Sequence, residues 1–107
     1  MTSFHDRERA EEAKFALDEE TEFRVHARRN RLLGSWAAER MGLSPAETEA
    51  YGKSLIQTDF EGAGDEDVVR KLLGDLIAAA VEASEAEVRT ALKAKEVEAR
   101  RALISEA

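Results

Sequence analysis

Residues 7–41 read RERAEEAKFALDEETEFRVHARRNRLLGSWAAERM, thirty-five positions with no proline and one glycine, Gly34. No other stretch runs so long without a break signal. Ala, Glu and Arg dominate it, and these residues lose little side-chain freedom in a helix. The pattern predicts one long helix with two unlike halves. From Phe23 onward it carries an apolar stripe of Val25, Leu32, Leu33 and Trp36, flanked by Phe23, Ala37 and Met41. Before Phe23 the large apolar residues thin out to Phe4, Phe15 and Leu17. Over Met1–Glu22, Arg7, Arg9 and Lys14 stand against eight carboxylates. Such a segment favours a helix but has little surface to bury, and an isolated helix of this length is marginal in water. The expectation is an arm over 1–22, disordered or helical alone and helical in a partner's groove, attached to a bundle domain over 23–107.

Outward from that stretch, the stop and start signals divide the remaining chain into three more helices. Gly42 stands where a left-handed residue ends a helix. Ser44-Pro45-Ala46-Glu47 offers an N-cap, a proline in the first turn and a capping box. Ala50, Tyr51, Ser54, Leu55 and Thr58 form the expected inner face of this second helix, which should end near Thr58. Phe60–Gly64 reads as a loop. Asp65-Glu66-Asp67 opens a third helix, its acidic first turn matching the helix dipole. Val69, Leu72, Leu73, Leu76 and Ala80 are its expected buried stripe. A fourth helix begins at Ser84 with Glu87 completing a box, and carries Val88, Ala91, Leu92, Lys95, Ala99, Ala102 and Leu103. Its end, 104–107, should fray. No segment alternates with a period of two, so the fold class is all-α, a four-helix bundle with antiparallel neighbours.

Composition agrees with one helical domain. The 107 residues are 43% hydrophobic and 36% charged, with 6 Gly, 1 Pro and a net charge of -7. That charge makes nucleic acid and anionic membrane poor partners. There is no cysteine, so disulfides and thiolate metal sites are excluded. MTSFHDRERA has no apolar signal region, and Leu76–Val81 is too short to span a bilayer. The expectation is a soluble, cytoplasmic protein.

Chemistry is sparse. Gly52-Lys53-Ser54 resembles the end of a phosphate loop, but the position five residues earlier is Glu47 and the segment is helical. Gly62 and Gly64 read as loop glycines. His5 and His26 have no partner at metal-site spacing and read as surface residues. Asp59, Glu61, Asp65 and Asp67 lack the order of a calcium loop and read as capping and loop solvation. Arg24, Arg28, Arg29 and Arg31 read as a solvated face with helix ion pairs, Glu20–Arg24 among them. An anion or acidic-partner contact is the alternative for this cluster. No catalytic constellation is apparent, and the chain reads as a non-enzyme.

FHDRERAEEAKFALDEETEFRVHARRNRLLGSWAAERMGL, followed by LIQTDFEGAGDEDVVRKLLGDL, strongly resembles the zeta subunit of alphaproteobacterial F-type ATP synthases. The likeness spans nearly the whole chain and is densest over Phe4–Leu43 and Asp59–Leu76. It implies a four-helix protein whose N-terminal segment inhibits ATP hydrolysis. That segment would enter a catalytic α/β interface of the ATPase head and block rotation of the γ rotor. By position, the contacts would lie among Phe4, Asp6, Arg7, Glu8, Arg9, Glu11, Glu12, Lys14 and Phe15. Phe4 and Phe15 would be apolar anchors, and Arg7, Arg9 and Lys14 would pair with carboxylates. The expectation is a monomer when free, peripheral to the inner membrane through the synthase, and a steric mechanism requires no cofactor. The alternative is a nucleotide sensor that binds ATP or ADP weakly between helices near Trp36 and Tyr51.

Overall fold

The computed structural model describes residues 4–62 and 64–106, with side-chain surroundings from Asp18 onward. Four helices follow one another: α1 (Phe4–Met41), α2 (Pro45–Glu61), α3 (Asp65–Ala78) and α4 (Glu85–Glu106). There is no strand among the described residues. No described helix is long and apolar enough to cross a membrane. The chain forms a four-helix bundle in which α1 touches all three other helices.

Local chemistry sets the helix ends. Gly42 adopts φ 71°, and the Leu43 N–H closes onto the Ala38 carbonyl at 3.0 Å, ending α1 as expected. The Ser44 hydroxyl accepts the Glu47 N–H while the Glu47 carboxylate accepts the Ser44 N–H, completing the predicted box at α2. The Ser44 hydrogen bonds hold the Glu47 carboxyl below its usual range. Ser84 likewise accepts from the Glu87 N–H at 3.2 Å.

The end of α3 shows an exception. Ala80, not a glycine, takes the left-handed position with φ 60°. The N–H of Val81 bonds to Leu76 and that of Ala80 to Ile77, the paired closure of a helix C-terminus. Ala80 is exposed, not part of the buried stripe as expected, because the chain has already left the helix.

The core gathers Leu33, Ala37, Leu55, Val68, Val69, Leu72, Leu76, Val88, Ala91 and Leu92. Val68 joins it because α3 is covered by both α2 and α4, which widens its buried face. The α1 stripe is shifted from expectation. Val25, Arg29, Asn30, Leu33, Gly34, Ala37 and Ala38 are inside, Leu32 and Trp36 are half-buried, and Phe23 is exposed. Ala50 is exposed as well, and Gly52 instead faces α1. There α1 and α2 pass so closely that a Cβ on Gly34 would lie 2.7 Å from the Gly52 Cα. The missing side chain of Gly34 therefore permits the close crossing, whereas a Cβ on Gly52 would meet only ordinary contact with Arg31 at 3.5 Å.

Two helices run further than the sequence suggested. α2 continues past Thr58 to Glu61, because Asp59 is held from α1. α4 continues through Ile104 to Glu106, where the Arg28 guanidinium grips the Glu106 carboxylate at 2.6 and 3.1 Å.

Candidate functional site

The level at which α1 leaves the bundle is built around Arg29. Its side chain is completely buried. Nη1 donates to Asp65 at 2.9 Å and to Glu96 at 3.1 Å, Nη2 donates to Asp59 at 3.2 Å, and Nε donates to the Asn30 side-chain oxygen at 3.1 Å. One guanidinium on α1 thereby ties α2, α3 and α4 together. Only arginine has a rigid fork with enough donors for this. Asn30, also buried, donates to Asp59 at 3.0 Å, and His26 Nδ1 lies 3.1 Å from the same Asp59 oxygen. Among the described residues no buried side-chain polar atom lacks a partner.

This placement corrects three expectations. Arg29 is not on a solvated face, because it stands one turn after Val25 and one turn before Leu33, on the buried stripe itself. Asp59 and Asp65 are not loop solvation but partners of that arginine. His26 is not a plain surface residue; its ring is about one-third exposed and wedged against Asp59. Polar atoms of His26, Asp59 and Asp65 approach within 4.8 Å of one another, a spacing that a cation would accept. The Arg29 guanidinium already supplies the positive charge there, so the cluster does not fit a metal.

Arg24 and Arg31 behave as expected, whereas Arg28 is half-buried and pairs across to α4. Arg24 donates to Glu20 at 2.8 Å, one turn away. Arg31 is exposed. On the flank of α1, Arg100 reaches Glu22 with two hydrogen bonds at 2.6 and 3.1 Å, which hold the Glu22 carboxyl below its usual range. Arg28 does the same to Glu106. Together these pairs pin the end of α4 against α1 on either side of Val25.

Trp36 and Tyr51 occupy different settings. Arg40 lies over the Trp36 indole, 4.3 Å from its centre, beside an open groove lined by Glu87, Thr90 and Ala94 of α4. Tyr51 is not part of that groove. Its hydroxyl donates to Asp75 on α3 at 2.8 Å, and Lys71 donates to the same carboxylate at 3.1 Å. Burial and then the Asp75 hydrogen bond push the Tyr51 phenol well above its ordinary range.

The side chains of Phe4, Asp6, Arg7, Glu8, Arg9, Glu11, Glu12, Lys14 and Phe15, with His5 and Leu17, lie outside the described residues. What the structure does place is the stretch that follows. From Asp18 to Arg24 every side chain is exposed, and Val25 is the first buried position of α1 among the described residues. That position comes 21 residues after the helix begins at Phe4, about 30 Å of helix at 1.5 Å per residue.

Comparison with known proteins adds a family. The model of a family described as ATPase inhibitor subunit zeta matches residues 1–102. No curated protein matches. Among solved structures, a chain determined by solution NMR is 44% identical, with a TM-score of 0.69. The match covers 79% of this chain and 96% of that one.

Proposed function

The chain belongs to the ATPase inhibitor subunit zeta family, and from that premise we propose that it blocks ATP hydrolysis by an F-type ATP synthase with the N-terminal part of α1. The supporting observation is how α1 is divided. Its C-terminal half is locked into the bundle by Arg29, whereas no side chain from Asp18 to Arg24 is buried. A helix with so little packing of its own gains stability from a partner.

In this reading the segment enters a catalytic α/β interface of the head and lies against the γ rotor. Phe4 and Phe15 fill apolar sites there, since aromatic side chains bury the most area at an interface. Arg7, Arg9 and Lys14 pair with carboxylates of the head, and Asp6, Glu8, Glu11 and Glu12 meet its basic residues, fixing register. The bundle acts as a stop that limits how far the helix goes in. Inhibition is steric, and the chain acts as a regulator without a cofactor or chemistry of its own.

A photo-crosslinker at position 15 tests the placement. It should capture the α and β subunits of the head under hydrolysis conditions. The same group at Ile77, exposed at the far end of the bundle, should capture neither. Equal capture from both positions, or none from position 15, refutes the insertion. A second reading, weak nucleotide binding, rests on Trp36 and Arg40 beside their open groove. Trp36 is the single tryptophan, so its fluorescence during an ATP titration reports on that groove; no saturable change below millimolar ATP rules the reading out.

A further inference from the structure

Two aromatic side chains beside the Arg29 centre contribute little to the fold. Phe23 on α1 is 55% exposed and Phe60 on α2 is 74% exposed. They border one shallow cleft of about 210 Å³, which Ala27 and Ile56 also line. His26, Asn30 and Asp59 line the same cleft. Its wall is therefore tied down by the hydrogen bonds of the Arg29 network, and a partner would not have to order it. Phenyl groups displayed together in water across two helices mark a contact surface more often than single exposed residues do.

We infer that this cleft is a second docking surface for the ATPase head, on the inhibitor reading given above, and that it takes an apolar surface rimmed by lysine or arginine. Two features identify that occupant. The first is continuity. Phe23 follows Phe15, an anchor in the proposed interface, by eight residues of one helix, about 12 Å along its axis. A partner that grips α1 at Phe15 lies within reach of the cleft. The second is charge. Glu19 stands one turn before Phe23, and Glu61 follows Phe60; both are exposed. A basic rim on the partner complements them, whereas a second copy of this chain would bring the same acidic rim and repel. The head is thus held at two points, by the inserted helix and by the junction of α1 with the end of α2.

The test uses the full chain in titrations of ATP hydrolysis by the F-type ATPase. Phe23→Ser and Phe60→Ser, singly and together, are compared with Ile104→Ser. Ile104 is 69% exposed on α4, in a different groove. Each Phe variant should raise the half-inhibitory concentration about tenfold, mostly through faster release. Ile104→Ser should match the wild type, and all variants should melt alike. If both Phe variants inhibit as the wild type does, or if Ile104→Ser loses as much, the docking surface is refuted and the inhibitor reading stands. If the wild-type chain itself does not inhibit, both fall together, and the first titration shows it. A dimer of the free chain that the double variant abolishes would assign the cleft to a second copy and overturn the proposal.

Discussion

Replacing Arg29 by alanine should unfold this protein far more readily than any other single loss of charge. The guanidinium is fully buried and bonds three carboxylates. Removing one partner of a buried ion pair costs about 3–5 kcal/mol, because the remaining charge is stranded. Here the three carboxylates differ. Asp65 and Glu96 are 43% and 34% exposed and can turn to water, whereas Asp59 is only 12% exposed. Asp59 keeps Asn30 and His26 as partners. That places Arg29→Ala at the lower end, about 3 kcal/mol, or a fall in Tm of roughly 10–20 °C for a domain of this size. Urea unfolding followed by the helical circular dichroism signal measures it. Arg31→Ala, exposed two residues on, serves as the reference and should stay within about 0.5 kcal/mol of the wild type. Arg29→Lys should fall between them, since an ammonium keeps the charge but not the fork. An Arg29→Ala protein within about 1 kcal/mol of Arg31→Ala would refute the claim that this residue ties the four helices together.

Gly34→Ala should destabilise by about 1–3 kcal/mol, since its Cβ would sit 2.7 Å from the Gly52 backbone. Gly52→Ala meets only ordinary contact at 3.5 Å and should be neutral or gain up to about 1 kcal/mol; equal losses in chemical denaturation would contradict the crossing. Ala80→Gly should stabilise by about 1 kcal/mol by relieving a left-handed alanine, and a lower Tm would argue against the closure at the end of α3. The single tyrosine gives a clean alkaline probe. Because the folded phenol is pushed up, the stability it contributes is complete below the unfolded pKa near 10 and declines as pH rises above that value. Its absorbance should change only as the helical signal is lost, and a smooth titration near pH 10 in the folded state would be the contrary result. Glu22, Glu66 and Glu106 are each held low by a hydrogen bond from an arginine. Their contribution is present above about pH 4.5 and is lost as pH falls through the folded values. Tm should therefore drop in that acid window, and less so in high salt, where these exposed pairs are already screened.

The parts of the fold that chain-local chemistry dictates were legible. Gly42, the Ser44–Glu47 box and the Ser84 cap each act within a few residues of themselves, and each ends or starts a helix where the sequence places it. The inner faces were less so. Arg29 lies four residues from both Val25 and Leu33, so its position on the stripe was visible, yet its charge argued for water. What reverses that argument is three carboxylates from three other helices, and no local pattern brings Asp59, Asp65 and Glu96 together. The Gly34–Gly52 crossing has the same character, since neither glycine announces its partner. Phe23 illustrates the opposite error: an aromatic residue at the edge of an apolar stripe looked like core and is in solvent. Ala80 shows that a left-handed cap can be filled without glycine where the backbone hydrogen bonds of Ala80 and Val81 close the turn.

The decisive assay is ATP hydrolysis by an F-type ATPase depleted of this subunit, with the chain added back. The full-length chain should suppress hydrolysis in a saturable way. A chain starting at Asp18, which retains the Arg29 centre and every buried side chain among the described residues, should remain folded by circular dichroism and leave hydrolysis untouched. Suppression by the shortened chain, or none by the full-length one, would contradict the claim that the N-terminal part of α1 is the inhibitor.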